Sequence, residues 1–86
     1  MAGYVDDKDA LLRRLRKIEG QVRGIERMVE EERYCVDVLD QIAAARTALE
    51  RVGLRLLESH ARHCVHGGAA DVDELMAAVE RFSKVR

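Results

Sequence analysis

Cys35, His60 and Cys64 are the residues whose chemistry the rest of the chain must position. A thiolate is a soft metal ligand and an imidazole a borderline one, so two cysteines and a histidine make a donor set for a soft ion. His60 and Cys64 are four residues apart, the spacing that places two side chains on one face of a helix. Cys35 lies 29 residues before Cys64. On one straight helix that separation is about 43 Å, whereas a metal–sulfur bond spans about 2.3 Å. One chain therefore cannot put all three on one ion. Two copies of the same helix, antiparallel about a two-fold axis, can do so, because residue i then faces residue j with i + j constant. Pairing Cys35 with the His60/Cys64 face sets that sum near 95 to 99 and puts the axis at Thr47–Glu50, beside Leu49. Such a dimer carries two equivalent sites, one at each end.

Two thiolates and one imidazole suit Cu(I), which accepts low coordination numbers. Structural zinc takes four ligands, and His63 or His66 could supply the fourth, so zinc stays open. Mg(II) and Ca(II) are disfavoured because no carboxylate cluster is evident. Taken singly, a cysteine on a helix face has a plainer reading as a small hydrophobe, and it is the joint spacing that favours a site. His63 and His66 are read as facing solvent.

Three helices must carry these residues. The first runs from about Asp7 to about Glu31, with Leu11, Leu15, Ile18, Val22, Ile25 and Met28/Val29 recurring every three or four residues. Asp6, Asp7 and Asp9 lie where a helix N-terminus favours negative charge. The second runs from about Cys35 to about Val65 and shows Leu39, Ile42, Ala45, Leu49, Val52, Leu56 and Leu57. A break is expected within Glu31–Tyr34, where the apolar stripe lapses. His66-Gly67-Gly68 ends the second helix. Asp71 and Glu74 resemble a capping box that opens a short third helix bearing Val72, Leu75/Met76, Val79 and Phe82. No strand signal is present. The expected class is all-α, with an antiparallel helical dimer forming a four-helix core, because one protomer could not cover so long a stripe on the second helix.

The composition agrees. The 86 residues include no proline, no tryptophan and one phenylalanine. A chain of this length, read as one domain over 1–86, buries only about 60% of its unfolded surface, and oligomerisation is the natural supplement. Its apolar runs are too short for a signal peptide or a membrane span, so a cytoplasmic protein without membrane contact is expected. Two cysteines in that compartment are ligands or reactive thiols more often than a disulfide.

Fifteen Lys and Arg balance 16 Asp and Glu, for a net charge of -1. The basic residues are nevertheless concentrated. Residues 13–27 hold Arg13, Arg14, Arg16, Lys17, Arg23 and Arg27 against Glu19 and Glu26, a local charge of +4. Arg46, Arg51 and Arg55 extend the pattern on the second helix. Such a face can hold phosphates, although a solvated face laced with ion pairs has the same composition. No helix-turn-helix or zinc-finger signature is evident. Gly20 and Gly24 sit inside the first helix at about 1 kcal/mol each relative to Ala, which suits either close approach of another backbone or of DNA, or a tolerated defect.

The run Leu12-Arg13-Arg14-Leu15-Arg16-Lys17-Ile18-Glu19-Gly20-Gln21-Val22-Arg23-Gly24-Ile25 resembles the opening helix of the CsoR/RcnR family of metal-sensing repressors. Tyr34-Cys35, the Gln41-Ile42 neighbourhood, and His60 with Cys64 extend the resemblance over nearly the whole chain. The resemblance implies an all-helical, DNA-binding homodimer and homotetramer that releases operator DNA when its inducer binds. In the copper-sensing branch it implies Cu(I) held by Cys35 of one protomer with His60 and Cys64 of the other. Tyr34 and Glu80 match residues that surround the histidine in that branch. Arg14 and Arg51 match basic positions implicated in DNA binding. Arg13, Arg16, Lys17 and Arg55 join them here only by charge and spacing.

Other branches differ at these positions. Nickel and cobalt sensors have His where this chain has Cys64 and a ligand near Gly3. Formaldehyde sensors have Pro where this chain has Ala2. Persulfide sensors lack the histidine at His60. The expected function is thus a Cu(I)-responsive repressor of copper-resistance genes, not an enzyme, with no small-molecule substrate. The alternatives are a thiol or persulfide switch using Cys35 and Cys64, a copper buffer without a DNA role, and a plain helical scaffold.

Overall fold

The computed structural model describes residues 4–67 and 72–84. A 3-10 turn at Val5–Asp7 leads into α1 (Lys8–Glu30), followed by α2 (Cys35–Gly67) and α3 (Val72–Ser83). Among the described residues there is no strand. The all-α class, the three helices and the break before Cys35 follow the sequence expectation. The second helix extends to Gly67, two residues past the expected Val65. The capping residue Asp71 and the stop at Gly68 lie outside the described residues. Among the described residues no helix is long and apolar enough to cross a membrane.

The turn after α1 closes without glycine. The Arg33 N–H donates to the Met28 carbonyl at 2.9 Å and the Glu32 N–H to the Val29 carbonyl at 3.0 Å. These are the paired bonds that terminate a helix through one left-handed residue. That residue is Glu32, at φ 54. Gly or Asn is the usual occupant, because an L side chain is strained there by about 1–2 kcal/mol.

Two compact units share α2. In the unit of residues 9–52, Leu11, Ile18, Ala45 and Val52 are buried. The apolar stripes are wider than this core. Leu15, Val22 and Val29 on α1, and Leu39, Ile42 and Leu49 on α2, are left at 36–60% exposure. A pair of helices covers only one edge of each stripe, so half of the apolar pattern faces outward. Leu15, Ile18, Val22 and Leu49 line an apolar groove with Glu19 and Arg23 beside them.

The other unit comprises residues 4–8, 53–67 and 72–84. Here α3 packs on the later part of α2. Gly53 has no side chain because the Phe82 ring occupies the space that a Cβ would fill. Gly53→Ala would gain about 1 kcal/mol of helix propensity, but overpacking costs about 1–3 kcal/mol. Thermal unfolding should therefore show Gly53→Ala lowering the melting temperature. The same substitution in a Phe82→Leu background should raise it. A stabilising Gly53→Ala in the wild-type background would contradict this packing.

Candidate metal centre and basic cleft

Cys35 is the first residue of α2, and its thiol is free and exposed. The first hydrogen bond of the helix runs from the Val38 N–H to the Tyr34 carbonyl at 3.2 Å. The Tyr34 side chain is then left to solvent, at 70% exposure. His60 stands about seven turns further along α2, and Cys64 one turn beyond it. His60 is partly accessible, with Nε2 3.8 Å from Glu74 Oε1 on α3. The Cys64 side chain is outside the described set. Among the described residues, no three His, Cys, Asp or Glu side chains gather around one point that could hold a metal. Glu80 pairs with Lys84 at 3.2 Å, and Glu74 on the same helix places a carboxylate near His60.

The basic residues separate into groups. Arg14, Lys17 and Arg51 line one cleft of about 400 Å³ together with Ile18, Gln21, Ala44, Thr47 and Ala48. No acidic residue lines it. Among the described residues none of these three cations is held in a salt bridge. Three uncompensated cations in one concavity attract an anion. Gln21 and Thr47 are polar walls that charge counting missed, and Gln21 Oε1 is buried without a partner. Arg13 and Arg16 are exposed on α1 and do not line the cleft. Nothing lies within 4 Å of a Cβ built on Gly20 or Gly24, so no close approach within the chain accounts for them.

Arg55 is engaged elsewhere. Its Nη2 donates to Asp7 Oδ1 at 3.2 Å, while Ser59 Oγ donates to Asp7 Oδ2 at 2.6 Å. Ser59 is buried, at 6% exposure. The Ser59 hydroxyl, and after it the Arg55 guanidinium, hold the Asp7 carboxyl below its ordinary range. A depressed carboxylate stabilises the fold above its unfolded pKa, and that contribution is lost as pH falls through the folded value. Sequence reading missed this cluster because 48 and 52 residues separate the partners. No local spacing rule reaches that far.

A family model described as metal-sensitive transcriptional repressor matches residues 7–81. The copper-sensing transcriptional repressor RicR of Mycobacterium tuberculosis is 54% identical over 69 residues, covering 80% of this chain and 72% of that protein. Among solved structures, the copper-sensing repressor CsoR with Cu(I) from Geobacillus thermodenitrificans is 45% identical. It covers 92% of this chain and 88% of its own, with a TM-score of 0.83. The nickel-responsive transcriptional regulator InrS is 41% identical, with 86% and 90% coverage and a TM-score of 0.76. The chain belongs to the family of metal-sensitive transcriptional repressors, the CsoR/RcnR family that its opening helix resembles.

Proposed function

We propose that this family member is a Cu(I)-responsive repressor, acting in the cytoplasm as a homodimer or homotetramer on operator DNA. The observation that carries the reading is the donor set on α2: Cys35, His60 and Cys64 in a chain 45% identical to a repressor structure that holds Cu(I). A nickel-responsive regulator has nearly the same backbone, so the fold does not choose the metal. The donors do. Two thiolates and one imidazole favour Cu(I), and Cys64 stands where the resemblance gives nickel sensors a histidine.

Cys35 of one chain with His60 and Cys64 of a second copy would hold the ion. When bound, Cu(I) would supply a cross-link between two chains. Everything else rests on this chain's own residues. Both thiols must give up their protons to become ligands. Leu39, Ile42 and Leu49 offer the apolar face that a second, antiparallel α2 would cover, with the axis near Thr47–Glu50. Tyr34 and Glu80 would flank His60 and orient its ring, as the resemblance implies. Arg14, Lys17 and Arg51 would seat backbone phosphates, with Arg13 and Arg16 adding longer-range attraction and Arg55 joining them only when released from Asp7. The chain would act as one domain, since α2 belongs to both of its compact units.

Metal and DNA binding are coupled reciprocally. Operator DNA must weaken Cu(I) binding by the factor by which Cu(I) weakens DNA binding, typically about 1–3 kcal/mol. Anaerobic titration of the operator complex with Cu(I), followed by fluorescence anisotropy, tests the reading. Release of DNA as the sites fill is expected, and retention at full occupancy would overturn it. The exposed thiol of Cys35 favours one second reading, a sulfur switch joining Cys35 to Cys64 of a partner. It predicts that His60→Ala still responds to its inducer.

A further inference from the structure

Asp7 occupies a position that neither metal binding nor DNA binding explains. It is the last residue of the 3-10 turn and is joined by one peptide bond to Lys8, the first residue of α1. Both of its carboxylate oxygens are engaged by α2: Oδ2 accepts from Ser59 Oγ at 2.6 Å, and Oδ1 accepts from Arg55 Nη2 at 3.2 Å. Ser59 directly precedes His60, and Arg55 lies one turn before Ser59 on the same helix. A buried hydroxyl donating to a carboxylate has short, directional geometry and makes a strong hydrogen bond. The start of the DNA-facing helix is thereby fastened to the helical turn that carries the histidine.

We propose that Asp7 and Ser59 form a latch of positioning residues that conveys the state of the His60 turn to the first turn of α1. This inference rests on the proposed function. Neither residue is a metal ligand or a member of the basic cleft, so the latch acts through His60 on one side and through Lys8 on the other. Movement of the His60 turn on metal capture must either carry the 3-10 turn with it or break the Ser59–Asp7 bond. Either event reaches α1 through one peptide bond, and the latch gives the two sites a shared element whose arrangement both can bias.

The test compares wild-type protein with Ser59→Ala and Asp7→Ala. Anaerobic Cu(I) titration and operator binding are measured in the apo and loaded states. The latch predicts full Cu(I) stoichiometry in both variants and, in Ser59→Ala, which keeps the Asp7–Arg55 pair, apo-operator affinity within about threefold of wild type. It predicts that the ratio of apo to loaded operator affinity collapses by about tenfold, a coupling of typical size. A ratio within twofold of wild type, with only the melting temperature lowered, would overturn it and leave a merely structural clamp.

Should Asp7→Ala not fold, Ser59→Ala alone decides, because it keeps the Asp7–Arg55 pair. If wild-type protein keeps its operator at full Cu(I) occupancy, the proposed function fails and the latch is read by hydrogen exchange instead. Cu(I) should change amide protection at residues 8–11 in wild type and not in Ser59→Ala. Equal changes in both proteins, or none in either, would overturn the latch.

Discussion

Cys35→Ala is expected to abolish the copper response while leaving apo-operator binding intact. Cys35 is the one proposed donor from the opposing chain, so its loss leaves His60 and Cys64 of one helix without a cross-link. Even a residue that merely supports a metal ligand is worth about 10–100-fold in affinity. Removing a thiolate from a three-donor set should therefore cost at least ~100-fold in Cu(I) affinity. His60→Ala should also bind Cu(I) much more weakly, since only two thiolates remain. Competition with a chromophoric Cu(I) chelator measures both. Wild-type affinity in Cys35→Ala would contradict a ligand role. Cys35 is exposed, so a change in melting temperature should be small, and stability and sensing separate cleanly.

The second large effect is expected from reversing the cleft. Arg14→Glu combined with Arg51→Glu removes two of the three cations that line one concavity and puts carboxylates in their place. A hydrogen bond to a charged group contributes about 1.5–3 kcal/mol, so two lost contacts per chain weaken operator binding by at least ~100-fold. Each phosphate contact also adds about 0.9 to the slope of log affinity against log salt. The conservative pair Arg14→Ala and Arg51→Ala should flatten that slope by about 2 for each chain on the DNA. Cu(I) affinity in the absence of DNA should not change. Arg13→Ala and Arg16→Ala, outside the cleft, should weaken binding less. Equal losses from all four positions would mean that diffuse charge, not the cleft, holds the phosphate.

Much of this was readable from residue order alone, because helices write themselves into periodicity. The recurrence of Leu11 and Ile18, and of Ala45 and Val52, marks the buried edge of each helix. The same stripes contain Leu15, Val22, Leu39 and Leu49, which this chain leaves exposed, and no sequence pattern separates residues covered at home from those awaiting a partner. A lapse in the apolar stripe marks the turn before Cys35. Its left-handed residue is Glu32, so the usual glycine signal is missing. Of the basic residues, charge counting grouped Arg55 with Arg51. Folding gives Arg55 to Asp7 and Arg51 to the cleft, a distinction that depends on contacts dozens of residues apart. Gly53 gave no cue at all, because its reason for being glycine is the Phe82 ring 29 residues later.

Mixed dimers test directly whether the site is shared between two chains. Let Cys35→Ala chains be unfolded and refolded together with Cys64→Ala chains under anaerobic conditions. Neither homodimer has a complete donor set. In the mixed dimer, one end combines Cys35 of the Cys64→Ala chain with His60 and Cys64 of the Cys35→Ala chain. The mixture should regain tight Cu(I) binding at one ion per mixed dimer, with the affinity of a wild-type site. Failure to recover any tight site in a mixture shown to contain mixed dimers would contradict the shared site, and the copper-sensing mechanism with it.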